Sequence, residues 1–323
     1  MAEINETILF ETSPYGNLDA IVEHDGRVVY FYLNGRSSDD SEDRFGTRAC
    51  WVRNLVRGPL AMDQSEMRQG IPPMLPRTDC KTDQPGEMPD AATLQIVWFE
   101  EGNGAALIED RGSPRTLCVI PPWSGIEGFH GYAADCVHET PLCWPMPDNE
   151  RLERRIARAR EFWQSFREKS SPFQKLQPEL LDAYSRVFGK VKEGNYFAID
   201  GGKFPPRGLV RFDLESETVL LTVGMSMCPQ PATELFAENP PEFRRVELGA
   251  KIPHGESSQG VESAIRSLGS LAFHPWKNWT WFGPGHSLQW ARGNAVLTRN
   301  DLLALPAFRV DPVHVLWLEP EKV

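Results

Sequence analysis

The 323-residue sequence has no apolar run near the roughly 18–20 residues that a membrane-spanning helix requires. Its start, "MAEINETILFETS", has neither a basic opening nor an apolar core. No secretory leader is therefore expected, and the expected compartment is the cytoplasm. Cysteine is sparse: Cys50, Cys80, Cys118, Cys136, Cys143 and Cys228 are spread over the chain. Without a leader these six are expected as free thiols, which excludes a disulfide-stapled fold. Positive charge is scarce in the first half. Residues 1–150 hold 11 Lys and Arg against 25 Asp and Glu, net −14, whereas residues 151–323 hold 23 against 20, net +3. The acidic half would repel phosphates, so no nucleic-acid partner is expected. The same surplus suits a basic protein partner, whose encounter it would speed, or solubility alone.

Several catalytic signatures are also missing. No Gly-x4-Gly-Lys-Ser/Thr loop and no Gly-x-Gly-x-x-Gly after a strand is present, so no phosphate cradle is expected. No Gly-x-Ser-x-Gly elbow is present either. His130, Cys136, His138 and Cys143 fall within fourteen residues, "HGYAADCVHETPLC", but their spacing is not a common zinc pattern. Cys228 ends a strand-like run and precedes His254, His274 and His286. A Cys–His pair would need spatial contact, which spacing alone does not supply. Glu100 and Glu101 flank a turn and read as solvated loop charge.

What is present divides by texture. "LDAIVEHDGRVVYFYLNG" is two alternating runs around Asp25-Gly26, a hairpin signal because both turn positions favour positive φ. Leu18, Ala20 and Val22 share one face of its first strand. "LQIVWFEEGNGAALIED" predicts a second hairpin turning at Gly102-Asn103-Gly104, and residues 116–120 a short buried strand. Residues 70–90, rich in Pro, Asp and Gly, predict a long exposed loop. Residues 148–169 predict a helix with Asp148 as its N-cap and Leu152, Ile156, Ala159, Trp163 and Phe166 on one face. A second helix is predicted over 178–189, starting at a Pro and ending at a Gly. Beyond it "NYFAID", "GLVRFDL", "ETVLLTVGMSM", "RRVELGAKI" and "VHVLWLEP" read as strands and residues 260–273 as a helix. Strict βαβ repetition is lacking, so the fold class is α+β. The expected domains are an acidic β-rich one over 1–147 and an α+β one over 148–323, with a mixed sheet flanked by helices.

Residues 205–318 carry four ordered motifs: "VLLTVGMSMCPQP", "FRRVELGAKIP", "LGSLAFHPWKNWTWFGPGHSL" and "VHVLWLEP". In that order they resemble the bacterial type of the Suppressor-of-fused-like (SUFU) domain family. The resemblance implies an α+β protein-binding domain that is not an enzyme and needs no cofactor or metal. The eukaryotic relative sequesters a transcription factor, and bacterial relatives are thought to be immunity proteins of polymorphic toxin systems. Members often continue into a further helix, which the ending "LWLEPEKV" leaves missing or reduced. The expected function is therefore a bacterial immunity protein that binds a cognate toxin or effector, a basic one being complementary to the acidic half. An intracellular adaptor or chaperone of a secreted effector, or a thiol- or metal-dependent hydrolase using Cys228 or Cys136, His138 and Cys143, are the alternatives. The expected partner contacts are Asp39, Asp40, Glu42 and Asp43 in the charged run "SSDDSEDR". No catalytic residue is expected.

Overall fold

The computed structural model describes residues 5–36, 46–148, 150–168, 171–300 and 302–321. The chain divides into two compact units, residues 1–161 and 162–323.

In the first unit β1 (Glu6–Thr12), β2 (Leu18–His24), β3 (Val28–Gly35) and β4 (Thr47–Asn54) form an antiparallel meander. The turn between β2 and β3 falls at Gly26, whose φ is +83°. A short helix, α1 (Gln64–Arg68), precedes a second sheet. Its strands are β5 (Leu94–Trp98), β6 (Ala105–Asp110), β7 (Pro114–Ile120), β8 (Tyr132–Ala133) and β9 (Trp144–Pro145), in that order. Strand alternation decides how the layers stack. Val22, Phe31 and Cys50 form one cross-strand row on the first sheet. Leu107, Cys118 and Ala133 form another on the second. The two rows face each other, because the Cys50 and Cys118 side chains are hydrogen-bonded. The opposite face of the second sheet offers Val97, Ala106, Ile108 and Val119. Leu152, Ile156 and Ala159 of α2 (Glu150–Arg167) cover it. Leu152, Ile156 and Ala159 of the stripe expected of this helix are thus the third layer of a sheet–sheet–helix stack, whereas Trp163 and Phe166 pack with Phe204. Truncating Ile156 to Ala would cost about 2–5 kcal/mol.

Within residues 70–90 the segment 73–76 departs from the exposed loop that composition predicts, while most of 78–90 conforms to it. Residues 73–76 are buried. Tyr30 donates to the Pro73 carbonyl at 2.7 Å and Asn54 Nδ2 to the Leu75 carbonyl at 2.7 Å. Prolines lack the N–H that burial would orphan, so a Pro-rich segment can pass through a core when its carbonyls find donors.

The second unit begins within α2 and continues with α3 (Pro172–Phe188). This helix starts six residues before the expected Pro178, which lies inside it. Ser171 is the N-cap and accepts from the Phe173 amide, while Pro172 takes the first-turn place that suits proline. A seven-stranded mixed sheet follows. Its order is β10 (Tyr196–Ala198), β11 (Gly208–Asp213), β12 (Glu217–Val223), β13 (Arg245–Pro253), β16 (Val313–Pro320), β15 (Gly293–Arg299) and β14 (Ser287–Trp290). Only the β13–β16 pair is parallel. Between β12 and β13 lie the single turns α4 (Thr233–Phe236) and α5 (Pro240–Phe243). Between β13 and β16 lie α6 (Ser258–Leu271), α7 (His274–Asn278) and the β14–β15 hairpin. Val261, Ala264 and Leu268 bury one face of α6, capped by Ser257. The β14–β15 hairpin adds two strands that the sequence reading did not include.

Gly249 of β13 shows how tightly this sheet is covered. A methyl at its Cα would sit 2.8–3.1 Å from ring atoms of Trp317 on β16. Both atoms belong to a central parallel pair, so neither can move aside. Gly249→Ala is expected to lower stability by about 2–3 kcal/mol, read from the urea midpoint. A midpoint equal to wild type would contradict this packing.

Candidate functional site

The second unit gathers its polar side chains where β12 ends and β13 and β16 begin. β12 stops at Val223, and Gly224 takes φ +94°, a conformation open to glycine. A single 3-10 turn over Met225–Met227 follows. Successive amides in such a turn converge on one point and form an anion nest. Here the anion is the chain's own. Glu247 of β13 accepts from the amides of Gly224 and Ser226, both at 3.0 Å, and of Met225 at 3.3 Å. It also accepts from the hydroxyls of Ser226 and Thr222, both at 2.6 Å. Glu247 is fully buried. Burial pushes its carboxyl above the ordinary value, and the donated hydrogen bonds oppose that rise.

Two residues earlier, Arg245 is equally enclosed. Its Nε donates to Asp311 at 3.0 Å and its terminal nitrogen to the carbonyls of Ser226 and Met227, with the Phe308 ring 4.9 Å from the guanidinium. Arg244 links the same Asp311, at 3.2 Å, to Glu234 of α4, at 2.6 Å. This node fixes the α4 turn and the 308–311 loop. Next to it stand Phe236 and Val310, 68% and 77% exposed, the two most exposed large apolar side chains of the second unit among the described residues.

The tryptophan-rich stretch 273–288 divides into three roles. Trp276 is buried in α7 and donates to the Pro229 carbonyl at 3.1 Å. The Arg207 guanidinium lies 4.0 Å from its ring centre and 4.6 Å from that of Phe273, and it also donates to the Ala272 carbonyl. Gln230 completes the dock, accepting from the Phe282 amide and donating to the carbonyls of Phe243 and Phe282. The motifs "CPQP" and "FHPWKNWTWF" are therefore two halves of one contact. Trp279 closes α7 at φ +47°, and Trp281 packs edge-on against His286 at 4.5 Å. Residues 279–286 are not a strand. His274 stacks on Phe282 at 5.6 Å, and burial with the nearby Lys277 lowers its pKa. Cys228 is fully buried.

In the first unit the acidic turn is corrected. Glu100 and Glu101 are 7% and 4% exposed, not solvated. Glu101 pairs with Arg155 of α2, Tyr15 donates to the Glu100 carbonyl at 2.6 Å, and Arg48 donates to the Asn103 carbonyl at 2.7 Å. Burial lowers Arg48 to about 10. His138 Nδ1 lies 3.1 Å from Asp79, which turns it away from a ligand role toward Cys136 and Cys143. Among the described residues no three His, Cys, Asp or Glu side chains are grouped as a metal ion requires. Also among them, no helix is long and apolar enough to cross a membrane. Asp39, Asp40, Glu42 and Asp43 lie outside the described residues.

Sequence reasoning found the motifs but not their partners. Nothing in the spacing of Gln230 or Glu247 marks them as junctions, because each acts across roughly twenty to fifty residues.

No curated protein and no solved structure matches the chain. Residues 208–318, from the first residue of β11 to Leu318 in β16, match the family model of Suppressor of fused protein (SUFU), so the second unit carries a Suppressor-of-fused-family domain.

Proposed function

We propose that the protein is a non-catalytic immunity protein that neutralises a cognate toxin by binding it directly. The family match over residues 208–318 carries this reading, since the family binds proteins and is generally non-catalytic. The charge distribution supports it. Residues 1–161 hold 16 Lys and Arg against 27 Asp and Glu, net −11, while residues 162–323 hold 18 of each. The whole net charge therefore sits on the first unit, and a basic toxin would be steered toward it. Phe236 and Val310 supply an apolar contact beside the Arg244–Asp311 node. Exposed apolar side chains held on a rigid support suit a protein interface.

The test is capture from the native organism with the tagged full chain at low salt, followed by mass spectrometry and co-expression with the captured protein. One stoichiometric partner whose toxicity the chain suppresses is the expected result. A partner that is delivered active would instead identify an adaptor or chaperone. Turnover of a substrate with a rapidly alkylated Cys228 would identify a hydrolase and reject the proposal. With the partner in hand, reversing Asp39, Asp40, Glu42 and Asp43 should slow association about tenfold or more at low salt and flatten its salt dependence. An unchanged on-rate would remove those four from the contact.

A further inference from the structure

Five of the six cysteines belong to the first unit, and two of them oppose each other across a bridge that lies outside the named strands. Cys80 and Cys136 are antiparallel partners. The amide of Lys81 donates to the Asp135 carbonyl at 2.8 Å and that of Val137 to the Asp79 carbonyl at 2.9 Å. The hydrogen bonds thus flank the pair instead of joining it, which makes it a non-hydrogen-bonded pair. Pairs of this kind bring their Cα atoms to about 4.5 Å with the side chains on one face. That separation lies within the roughly 4.4–6.8 Å range that a disulfide spans. The two thiols currently turn elsewhere. Cys80 Sγ donates to the Pro76 carbonyl at 3.4 Å, and Cys136 Sγ lies 2.9 Å from the His138 carbonyl oxygen and is hydrogen-bonded to Cys143. Side-chain rotation, without backbone movement, would bring the sulfurs together.

A second observation concerns access. Cys80 is partly exposed, whereas Cys136 and Cys143 are buried. It lines a cleft of about 40 Å³ with Arg53, Arg77, Lys81, Asp83 and Asp135. Each water-sized molecule needs about 10–15 Å³, so the cleft has room for a peroxide.

We propose that Cys80 and Cys136 form a peroxide-oxidisable dithiol that closes to a cross-strand disulfide. The Cys80 thiolate attacks one oxygen of hydrogen peroxide, the O–O bond breaks, and hydroxide leaves and takes up a proton as water. Cys80 is then a sulfenic acid. The Cys136 thiolate attacks its sulfur, the S–O bond breaks, and a second water leaves. Two thiols and one peroxide give one disulfide and two waters. The hydrogen bond from Cys143 lowers the Cys136 pKa, which favours the second step. The first step is slow. Burial, with Cys136, Asp79, Asp135 and Asp83, pushes the Cys80 thiol up to about 11, although Arg53, Arg77 and Lys81 share its cleft. The oxidation rate should therefore rise about tenfold per pH unit from neutrality toward the thiol pKa.

The experiment oxidises the reduced full chain with hydrogen peroxide, blocks free thiols, and maps it without reduction after trypsin and a glutamate-specific protease. Cleavage after Glu127 and Glu139 separates Cys136 from both Cys118 and Cys143. The expected product links the Cys80 and Cys136 peptides with a loss of about 2 Da, the two thiol hydrogens. Cys143→Ser should keep that link. Cys80→Ser, at a partly exposed position, should abolish it and leave Cys136 unoxidised. A link between Cys136 and Cys143, or a Cys80 that over-oxidises without pairing, would overturn the proposal. The wild-type map decides the question even if a variant fails to fold.

Discussion

Glu247→Ala should lower the stability of the second unit by about 4 kcal/mol or more. The substitution removes the common acceptor of three backbone amides and two hydroxyls in a fully buried place. The hydroxyls can rotate to other acceptors, but the amides are fixed by the turn. Each buried donor left without an acceptor costs about 1–3 kcal/mol. Glu247→Gln keeps the shape but turns an NH2 toward donors, so a smaller loss of about 2 kcal/mol is expected. Urea unfolding followed by far-UV dichroism ranks the three proteins. An alanine variant as stable as wild type would show that the nest does not depend on its carboxylate.

The pH dependence has a defined sign. Burial raises the Glu247 carboxyl, so the folded protein keeps this proton to higher pH than the unfolded chain does. Its contribution to stability is greatest below the ordinary carboxyl value of 4.5 and declines as pH rises through the folded-state value. The stability difference between wild type and Glu247→Gln should therefore shrink across that window. A difference that stays constant with pH would contradict it.

The second large effect is expected at Asp311. Asp311→Ala removes a carboxylate partner from both Arg245, itself 2% exposed, and Arg244. Breaking a buried ion pair from one side costs about 3–5 kcal/mol, because the remaining charge loses a carboxylate where solvent does not replace it. Replacing both partners by apolar residues, as in Arg245→Met with Asp311→Leu, should recover much of the loss. A double variant as unstable as the single one would mean that the carbonyls of Ser226 and Met227, not Asp311, are what Arg245 holds. Phe236 and Val310 neighbour Glu234 and Asp311 along the chain, so under the proposed partner-binding role the single variant should also weaken that binding.

Local signals in the sequence translated well into local structure. Asp25-Gly26 gave its hairpin, with Leu18, Ala20 and Val22 all buried on one face. Gly102-Asn103-Gly104 gave another. The α2 stripe was legible because Leu152, Ile156 and Ala159 meet a flat apolar sheet face. What was not legible depends on distant partners. A proline-rich run enters the core because Tyr30 and Asn54 satisfy its carbonyls from other strands. Glu100 and Glu101 look solvated until Arg155 pairs with Glu101 and Arg48 and Tyr15 bond the carbonyls of the turn. Pro178 reads as a start signal, yet Ser171 and Pro172 supply a better one upstream. The family's motifs were legible as words, whereas their junction through Gln230, Trp276 and Phe282 required the fold.

The parallel pair at the middle of the seven-stranded sheet has a kinetic consequence. β13 ends at Pro253 and β16 begins at Val313, so 59 residues separate the two strands that join its halves. In the antiparallel β11–β12–β13 ladder three residues separate β11 from β12 and 21 separate β12 from β13, so it can assemble while the chain is still being synthesised. Until β16 leaves the ribosome, β13 presents an open edge, a template for wrong pairing. The slow step of folding this sheet is thus expected to be the arrival of β16, and a truncation just before Val313 should aggregate instead of merely losing one strand.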